Sequence, residues 1–244
     1  MTNVKGKWAL ITGASRGVGR LMAQFMADHG CNLVLHARSL EHLAALAEEL
    51  RSKGVAVETV AAELSSEAEV TRMLDELEAR KLVIDILFNN AAVQIAYRTE
   101  FFQTPVSDFT TSFMINTIAP AMIVYRLLPG MIQRGFGRIV NTTSGIRDEP
   151  EQAAYSASKA ALDKFTKDLK KVIEGTDVMM NITDPGWCRT DLGGPQAPNA
   201  PQSALPGLVL GAFLDDKKSG RLIPAQDFAG MSLEAALQKA AKDL

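Results

Sequence analysis

Trp8-Ala9-Leu10-Ile11-Thr12-Gly13-Ala14-Ser15-Arg16-Gly17-Val18-Gly19 runs from an apolar tetrad straight into a glycine-rich turn. The tetrad reads as a buried strand, and Gly17 to His29 reads as a helix. Glycines let main chain approach a pyrophosphate closely. The helix start adds free N–H groups and the positive end of a dipole. Any tight strand-to-helix turn uses glycine, so the turn alone says little. Its context, with a strand before and a helix after, points to phosphate binding. The spacing Gly-x-x-x-Gly-x-Gly differs from the common G-x-G-x-x-G dinucleotide fingerprint.

Outward from that turn, short β-like runs alternate with longer amphipathic stretches. Asn32 to His36 reads as a second strand, and Leu40 to Ser52 as a second helix with Leu43, Leu46, Ala47 and Leu50 at helical spacing. Val55 to Ala61 is a third strand. Ser66 to Arg80 is a helix whose Ser66 and Glu69 form a capping box. Ile84 to Phe88 is strand four, and a long helical stretch runs from about Ser107 to Arg134. Arg138 to Asn141 is strand five, Ala154 to Ile173 a helix, and Val178 to Thr183 strand six. Arg221 to Ile223 is a candidate seventh strand, and 232–243 a terminal helix. Nearly continuous apolar strands alternating with helices predict an α/β fold with a parallel sheet covered on both faces. Gly193 to Pro206 holds two Gly and four Pro and reads as a flexible loop, because a helix and a strand follow it. One dinucleotide-binding and catalytic domain over 1–244 is therefore expected, with 190–215 as a substrate-covering loop and helix.

The chain has 244 residues, 47% of them apolar, and a formal net charge of -2. That balance gives no general attraction to nucleic acid or to anionic membranes. Met1 to Leu10 lacks the apolar stretch of a signal peptide. Apolar runs such as Leu208 to Leu214 are too short to span a bilayer. Cys31 and Cys188 stand in unrelated contexts and read as reduced thiols of a cytoplasmic protein. No His/Cys cluster has metal-ligand spacing; the histidines are His29, His36 and His42.

The Thr12-Gly13-x-x-x-Gly17-x-Gly19 turn resembles that of the short-chain dehydrogenase/reductase family, and the likeness extends from Lys7 to about Asp191. It implies a Rossmann-type doubly wound parallel sheet of about seven strands in the order 3-2-1-4-5-6-7. It also implies a nicotinamide dinucleotide held by Gly13, Ser15, Arg16, Gly17, Val18 and Gly19. In an NAD-binding fold a carboxylate at the end of strand two holds the ribose 2′-OH. Here that strand ends His36-Ala37-Arg38, with no acid. Arg38 would instead pair with a 2′-phosphate as a fork, and Arg16 could reach the same group. The bland alternative is a solvated Arg38 and a carbonyl-capping Arg16. The resemblance favours NADP(H). Glu63-Leu64 stands where the family has an Asp and an apolar residue at the adenine. Asn90, Ala91 and Ala92, within Phe88-Asn89-Asn90-Ala91-Ala92, resemble the Asn-Ala-Gly that approaches the adenine ribose. Pro185, Gly186, Trp187 and Thr190 resemble the turn that faces the nicotinamide carboxamide, and Cys188 there reads as a packing residue.

Tyr155-Ser156-Ala157-Ser158-Lys159 matches the family's Tyr-x-x-x-Lys. Residues four apart share a helix face, so an ammonium can sit near the phenol. Bringing a phenol from near 10 to near 7 takes roughly 4 kcal/mol. A unit charge at ~4 Å supplies about that at an effective dielectric of ~20. Lys159, with the positive nicotinamide, would therefore suffice to make Tyr155 a general acid/base. Ser144, at the end of strand five, resembles the serine that donates to the substrate oxygen. It lies 11 residues before Tyr155, two fewer than the family's usual spacing, while Thr142 keeps the usual spacing. The alignment of the strand end favours Ser144. The short loop between holds Arg147, Asp148, Glu149, Pro150 and Glu151. Asn116 matches the family's asparagine that bends the long helix and holds a water linking Lys159 to solvent; a mid-helix Asn is otherwise unfavourable.

What these residues imply is hydride transfer between the nicotinamide and a carbonyl or secondary-alcohol substrate. Ile146 to Gln152, Val93 to Tyr97 and Trp187 to Pro206 would line its pocket. A non-catalytic NADP(H)-binding regulator is the rival from another class. An isomerase is disfavoured, since such relatives carry a larger C-terminal substrate domain. A homodimer or homotetramer using helices around Thr111 to Leu127 and Ala154 to Lys170 is implied by likeness, and Pro224 is expected to weaken pairing at the last strand.

Overall fold

The computed structural model describes residues 1–244. Seven strands form one sheet in the order β3-β2-β1-β4-β5-β6-β7, as expected. They are β1 (Trp8–Ile11), β2 (Asn32–Ala37), β3 (Val57–Ala61), β4 (Ile86–Asn89), β5 (Gly137–Thr142), β6 (Val178–Asp184) and β7 (Leu222–Pro224). Every pairing is parallel. The helices are α1 (Gly17–Asp28), α2 (Ala44–Arg51), α3 (Glu67–Ala79), α4 (Val106–Phe113), α5 (Ala119–Arg134), α6 (Ala153–Ile173), α7 (Leu210–Phe213) and α8 (Leu233–Asp243).

The strands are apolar throughout because both faces are covered. Alternate residues of one strand enter different cores: Ala9 and Ile11 join the core under α1 and α2, while Leu10 joins the one under α3 and α5. The chain reverses direction across the sheet between β1 and β4. That topological switch point opens a crevice at the strands' C-terminal ends.

Three local expectations change. The helix expected over Leu40 to Ser52 splits into a tight turn at Leu40–His42 and α2. The capping box at α3 is half formed: Ser66 Oγ accepts from the Glu69 N–H, but Glu69 Oε2 accepts from the Glu63 N–H. Glu69 thus ties the end of β3 to α3. The long helix is continuous from Val106 to Arg134 but widens into a π-turn at Met114–Ile118, around Asn116. By length and composition this run would suffice to cross a membrane, contrary to the sequence expectation. Here Ala119, Ile123, Val124, Leu128 and Met131 bury one face against the sheet and α3.

The 190–215 segment divides. Thr190 to Gly193 and Pro201 line the crevice, whereas Ala204, Leu208, Val209, Ala212 and Phe213 are core residues. The proline-rich loop is well tied: Arg189 Nη1 donates to the carbonyls of Ala197 and Pro198. Pro224 closes the edge strand opposite Asp184, where the missing N–H interrupts no further ladder. Arg138, 1% exposed, spends all five guanidinium hydrogens. They go to the carbonyls of Leu214, Gly137 and Asp177, to Thr2 Oγ1 and to the Asp177 carboxylate.

Candidate active site

A crevice of about 1620 Å³ runs along the C-terminal ends of the strands, from Arg38 and Glu63 at one end to Tyr97, Glu149 and Trp187 at the other. Its first half is made of main-chain shape. Gly13 has φ +66°, and a Cβ there would lie 2.9 Å from Ala91 Cα. A Cβ on Gly19 would lie 2.2 Å from the Gly13 carbonyl oxygen, so the start of α1 needs glycine to pass under the turn. Thr12 Oγ1 accepts from the N–H groups of Asn90 and Ala91, and Asn90 Nδ2 donates to the Thr12 carbonyl. The first turn of α1 carries no acid and no side-chain cap. Gly17, Val18 and Gly19 of that turn line the crevice, and no side chain competes for their N–H groups, as an anion site requires.

Arg38 is exposed on the crevice wall, and no carboxylate stands at Ala37. Arg16 lines the crevice as expected and has a partner the sequence did not indicate. It pairs with Asp191 at 2.6 Å, bridging the glycine turn and the loop after β6. Glu63 uses Oε1 to accept from the Ser65 N–H, and Leu64 is buried beside it. Ser15, Gly17, Val18, Ala91 and Ala92 line the same stretch.

At the other half, Tyr155 and Lys159 rise from the first turns of α6 and are 6% and 2% exposed. Lys159 Nζ donates to the Thr142 carbonyl at 2.8 Å, anchored to the end of β5. Burial pushes the ammonium down to about 8, partly opposed by Asp163 and Asp184. Burial also pushes the Tyr155 phenol up; Ser144 beside it pulls the other way, and Asp184 adds to the rise. The simple electrostatic expectation, a phenol brought down by Lys159, is thus reversed in the free protein: desolvation wins. Ser144 lines the crevice beyond β5, and its oxygen accepts from the Ile146 N–H at 3.3 Å, leaving its own proton to give. Thr142 lies within β5, buried.

Asn116 is fully buried at the π-turn. Its Oδ1 accepts from the Val93 N–H, and its Nδ2 donates to the Val93 carbonyl and to Ser158 Oγ. The side chain therefore clamps the loop after β4 to α6, and none of its hydrogen bonds reaches Lys159. At the end of β6, Asp184 Oδ1 accepts from the Gly186 N–H and shapes the Pro185-Gly186 turn. Trp187 Nε1 donates to the Gly193 carbonyl, and the Thr190 methyl faces Gly17 across the crevice, 3.5 Å from where a Cβ would stand. Cys188 is buried, and burial pushes its thiol up, which fits the packing role expected for it.

A family model described as short chain dehydrogenase matches residues 7–200. The chain belongs to this family. Among curated relatives it is 32% identical to 3-oxoacyl-[acyl-carrier-protein] reductase FabG of Aquifex aeolicus, over 86% of this chain and 85% of that one. It is also 32% identical to inactive hydroxysteroid dehydrogenase-like protein 1 of Pongo abelii, over 79% of this chain but 59% of that longer protein. Among solved structures, blue fluorescent protein from a metagenomic library in complex with NADPH superposes with a TM-score of 0.78 at 25% identity. That match covers 91% of this chain and 97% of the other. As a member of a dehydrogenase and reductase family, the chain presents what a nicotinamide dinucleotide requires. It has a glycine cradle that a Cβ would fill, an uncapped helix start and a crevice long enough to reach Tyr155.

Two contributors escaped the sequence reading. His36 was seen only as a strand residue, yet its Nδ1 accepts from the Gly13 N–H. Gln226, after β7, donates to the Pro185 carbonyl at 2.7 Å and accepts from Ser203 Oγ, clamping the turn beyond β6. The polar residue in an otherwise apolar β2 was a signal for the first. Gln226 is 41 residues from Pro185, and no local pattern marks it.

Proposed function

We propose that the protein is an NADP(H)-dependent oxidoreductase that interconverts a carbonyl compound and a secondary alcohol, with Tyr155 as general acid/base. The observation that carries this reading is the buried Tyr155 and Lys159, beside Ser144, on a crevice continuous with the glycine turn. The nicotinamide, when bound, supplies or accepts the hydride. The chain's own residues handle the proton and the oxygen. Ser144 donates to the substrate oxygen and stabilises charge developing there. Tyr155 gives its proton to that oxygen in reduction and takes it back in oxidation. A phenol held up by burial favours the donor role, and so reduction. Lys159 holds the nicotinamide ribose and shares the proton traffic; Asn116 keeps the surrounding loop and α6 in register.

NADP(H) is preferred over NAD(H) because Arg38 is exposed at the end of β2 without a nearby acid at Ala37. Two buried, unbridged thiols suit a cytoplasmic setting. Ile118, Tyr125 and Val172 leave apolar surface exposed on α5, its preceding turn and α6, which suits packing against a second copy of the chain.

One experiment tests the core of this reading. A panel of neutral and charged ketones is assayed with NADPH and NADH, using wild type, Tyr155→Phe and Arg38→Asp. Tyr155→Phe keeps NADPH binding within about threefold and loses turnover by about 10²–10⁴-fold. Arg38→Asp shifts preference towards NADH by at least about tenfold. The rival, a non-catalytic NADP(H)-binding protein, is favoured by the similarity to a relative named inactive. Tight NADPH binding without turnover of any ketone by wild type would support that rival and sink the enzymatic reading.

A further inference from the structure

We infer that His36 is a positioning residue for the dinucleotide, a neutral strut that sets the distance between the glycine turn and the adenine wall. This rests on the crevice being a dinucleotide site. Leu33, Val34 and Leu35 of β2 are completely buried, so an imidazole at the next position needs an explanation beyond strand burial. The ring is 2% exposed and both nitrogens are used. Nδ1 accepts from the Gly13 N–H at 3.3 Å, and Nε2 lies 3.0 Å from the Ala62 carbonyl oxygen. A nitrogen facing an N–H must be bare, and one facing a carbonyl must carry hydrogen. The contacts therefore specify one neutral tautomer. The His36 main-chain carbonyl adds a second tie, accepting from the Ala14 N–H at 2.9 Å.

The two ends of this strut matter. Gly13 holds a left-handed conformation, with its carbonyl gripped by Asn90 from the β4 side. His36 grips the N–H of the same residue from the β2 side. Ala62 directly precedes Glu63 and Leu64, which line the far end of the crevice. A single ring thus ties the phosphate cradle to the wall expected to meet the adenine.

Protonation would break it. A hydrogen on Nδ1 would face the Gly13 hydrogen, and the turn would have to open. Burial holds the His36 pKa below its usual range, while the Ala62 carbonyl and then Glu63, two residues beyond β3, pull it up. The other charged groups next to it in the chain or on elements packed against β2 are Arg38 just after the strand, Glu41 and His42 in the following turn, and Arg16 and Arg20 at the start of α1. Asp191 engages Arg16 and Glu49 engages Arg20.

The test is a fluorescence titration of NADPH onto the cofactor-free protein across pH, for wild type, His36→Gln and His36→Leu. Glutamine offers an acceptor and a donor without titrating. At about pH 8 it should bind within about threefold of wild type, while His36→Leu, with the Gly13 N–H unpaired, binds at least about tenfold more weakly. The KM for NADPH in His36→Leu rises by a similar factor, with kcat at saturating cofactor within about twofold. As pH falls through the His36 titration, which burial places below the usual histidine range, wild type loses affinity relative to His36→Gln. The 2′-phosphate titrates equally in both and cancels in that ratio. Binding by His36→Leu within about twofold of wild type throughout would overturn the proposal. So would parallel acid loss in wild type and His36→Gln. Circular dichroism without cofactor detects a variant that fails to fold, and the wild-type to His36→Gln ratio then decides. Failure of wild type to bind NADPH or NADH at about pH 8 would instead sink the dinucleotide reading itself.

Discussion

The two walls of the crevice are built by different means. The wall from β1 to β3 rests mainly on main-chain shape, a left-handed Gly13, a Gly19 that leaves no room for a Cβ and an uncapped helix start, with His36 and Asn90 as side-chain ties. The wall from β5 to β7 is made of side chains that reach distant main-chain carbonyls. Lys159 holds Thr142 and Gln226 holds Pro185; at the opposite ends of the same strands Arg138 holds Leu214 and Asp177. The first wall binds by fitting closely and the second by pinning loops. Damage to a pin should therefore loosen the second wall and leave the first largely intact.

Arg138→Ala tests the pinned half most strongly, from the strand ends opposite the crevice. It strips the donors from three carbonyls, from Thr2 and from Asp177 at once. Removing one partner of a buried charged pair costs about 3–5 kcal/mol. Urea unfolding should show a loss of that order. Amide exchange should accelerate most across β6, β7 and the Leu214 region, and less in the glycine turn. A loss under about 1 kcal/mol would mean that the pins are decorative.

The same asymmetry explains what could be read in advance. The strand positions, the glycine cradle and the Tyr155–Lys159 pair were legible because residue type and local spacing carry them, while the strand order came from the family resemblance. Asn116 was legible as a helix irregularity, but its bonds to Val93 and Ser158 were not, since they span 23 and 42 residues. The 190–215 segment looked like a cover because proline and glycine mark a loop. Which side of a loop is buried depends on the surface it meets, here the core beneath α1. The contact of Arg16 with Asp191 was not legible, because that partner is 175 residues away. Desolvation of Tyr155 was equally invisible, because charge neighbours can be counted from spacing and burial cannot.

Lys159→Met sharpens the comparison at an intermediate size. The ammonium is lowered from 10.5 to about 8 by burial, so its charged form destabilises the free fold. Between those values the unfolded chain holds more protons than the folded one, so the lysine's cost fades as pH rises through the window. Below about pH 8 the full gap applies, about 3 kcal/mol, less what the bond to Thr142 returns. Lys159→Met should thus be more stable than wild type by about 1–3 kcal/mol near neutrality and lose turnover. The stability difference should close on going alkaline. A difference independent of pH would refute this origin.

The smallest effect lies where the two walls touch. Arg16 and Asp191 join them at 2.6 Å, but both side chains are about two-thirds exposed, at 67% and 68%. Such a pair is worth about 0–1 kcal/mol and is screened by salt. Its interest lies in competition. Asp191 holds the guanidinium that a cofactor phosphate would also attract, so the two anions compete for one cation. Asp191→Asn should therefore change unfolding stability by less than about 1 kcal/mol and tighten NADPH binding by up to about fivefold at low salt. Arg16→Ala should weaken NADPH binding by a comparable factor, and both effects should shrink as ionic strength rises. NADH, without the 2′-phosphate, should respond less. Equal responses of NADPH and NADH would place Arg16 at the pyrophosphate, and no response in either would leave the pair as a latch between the walls.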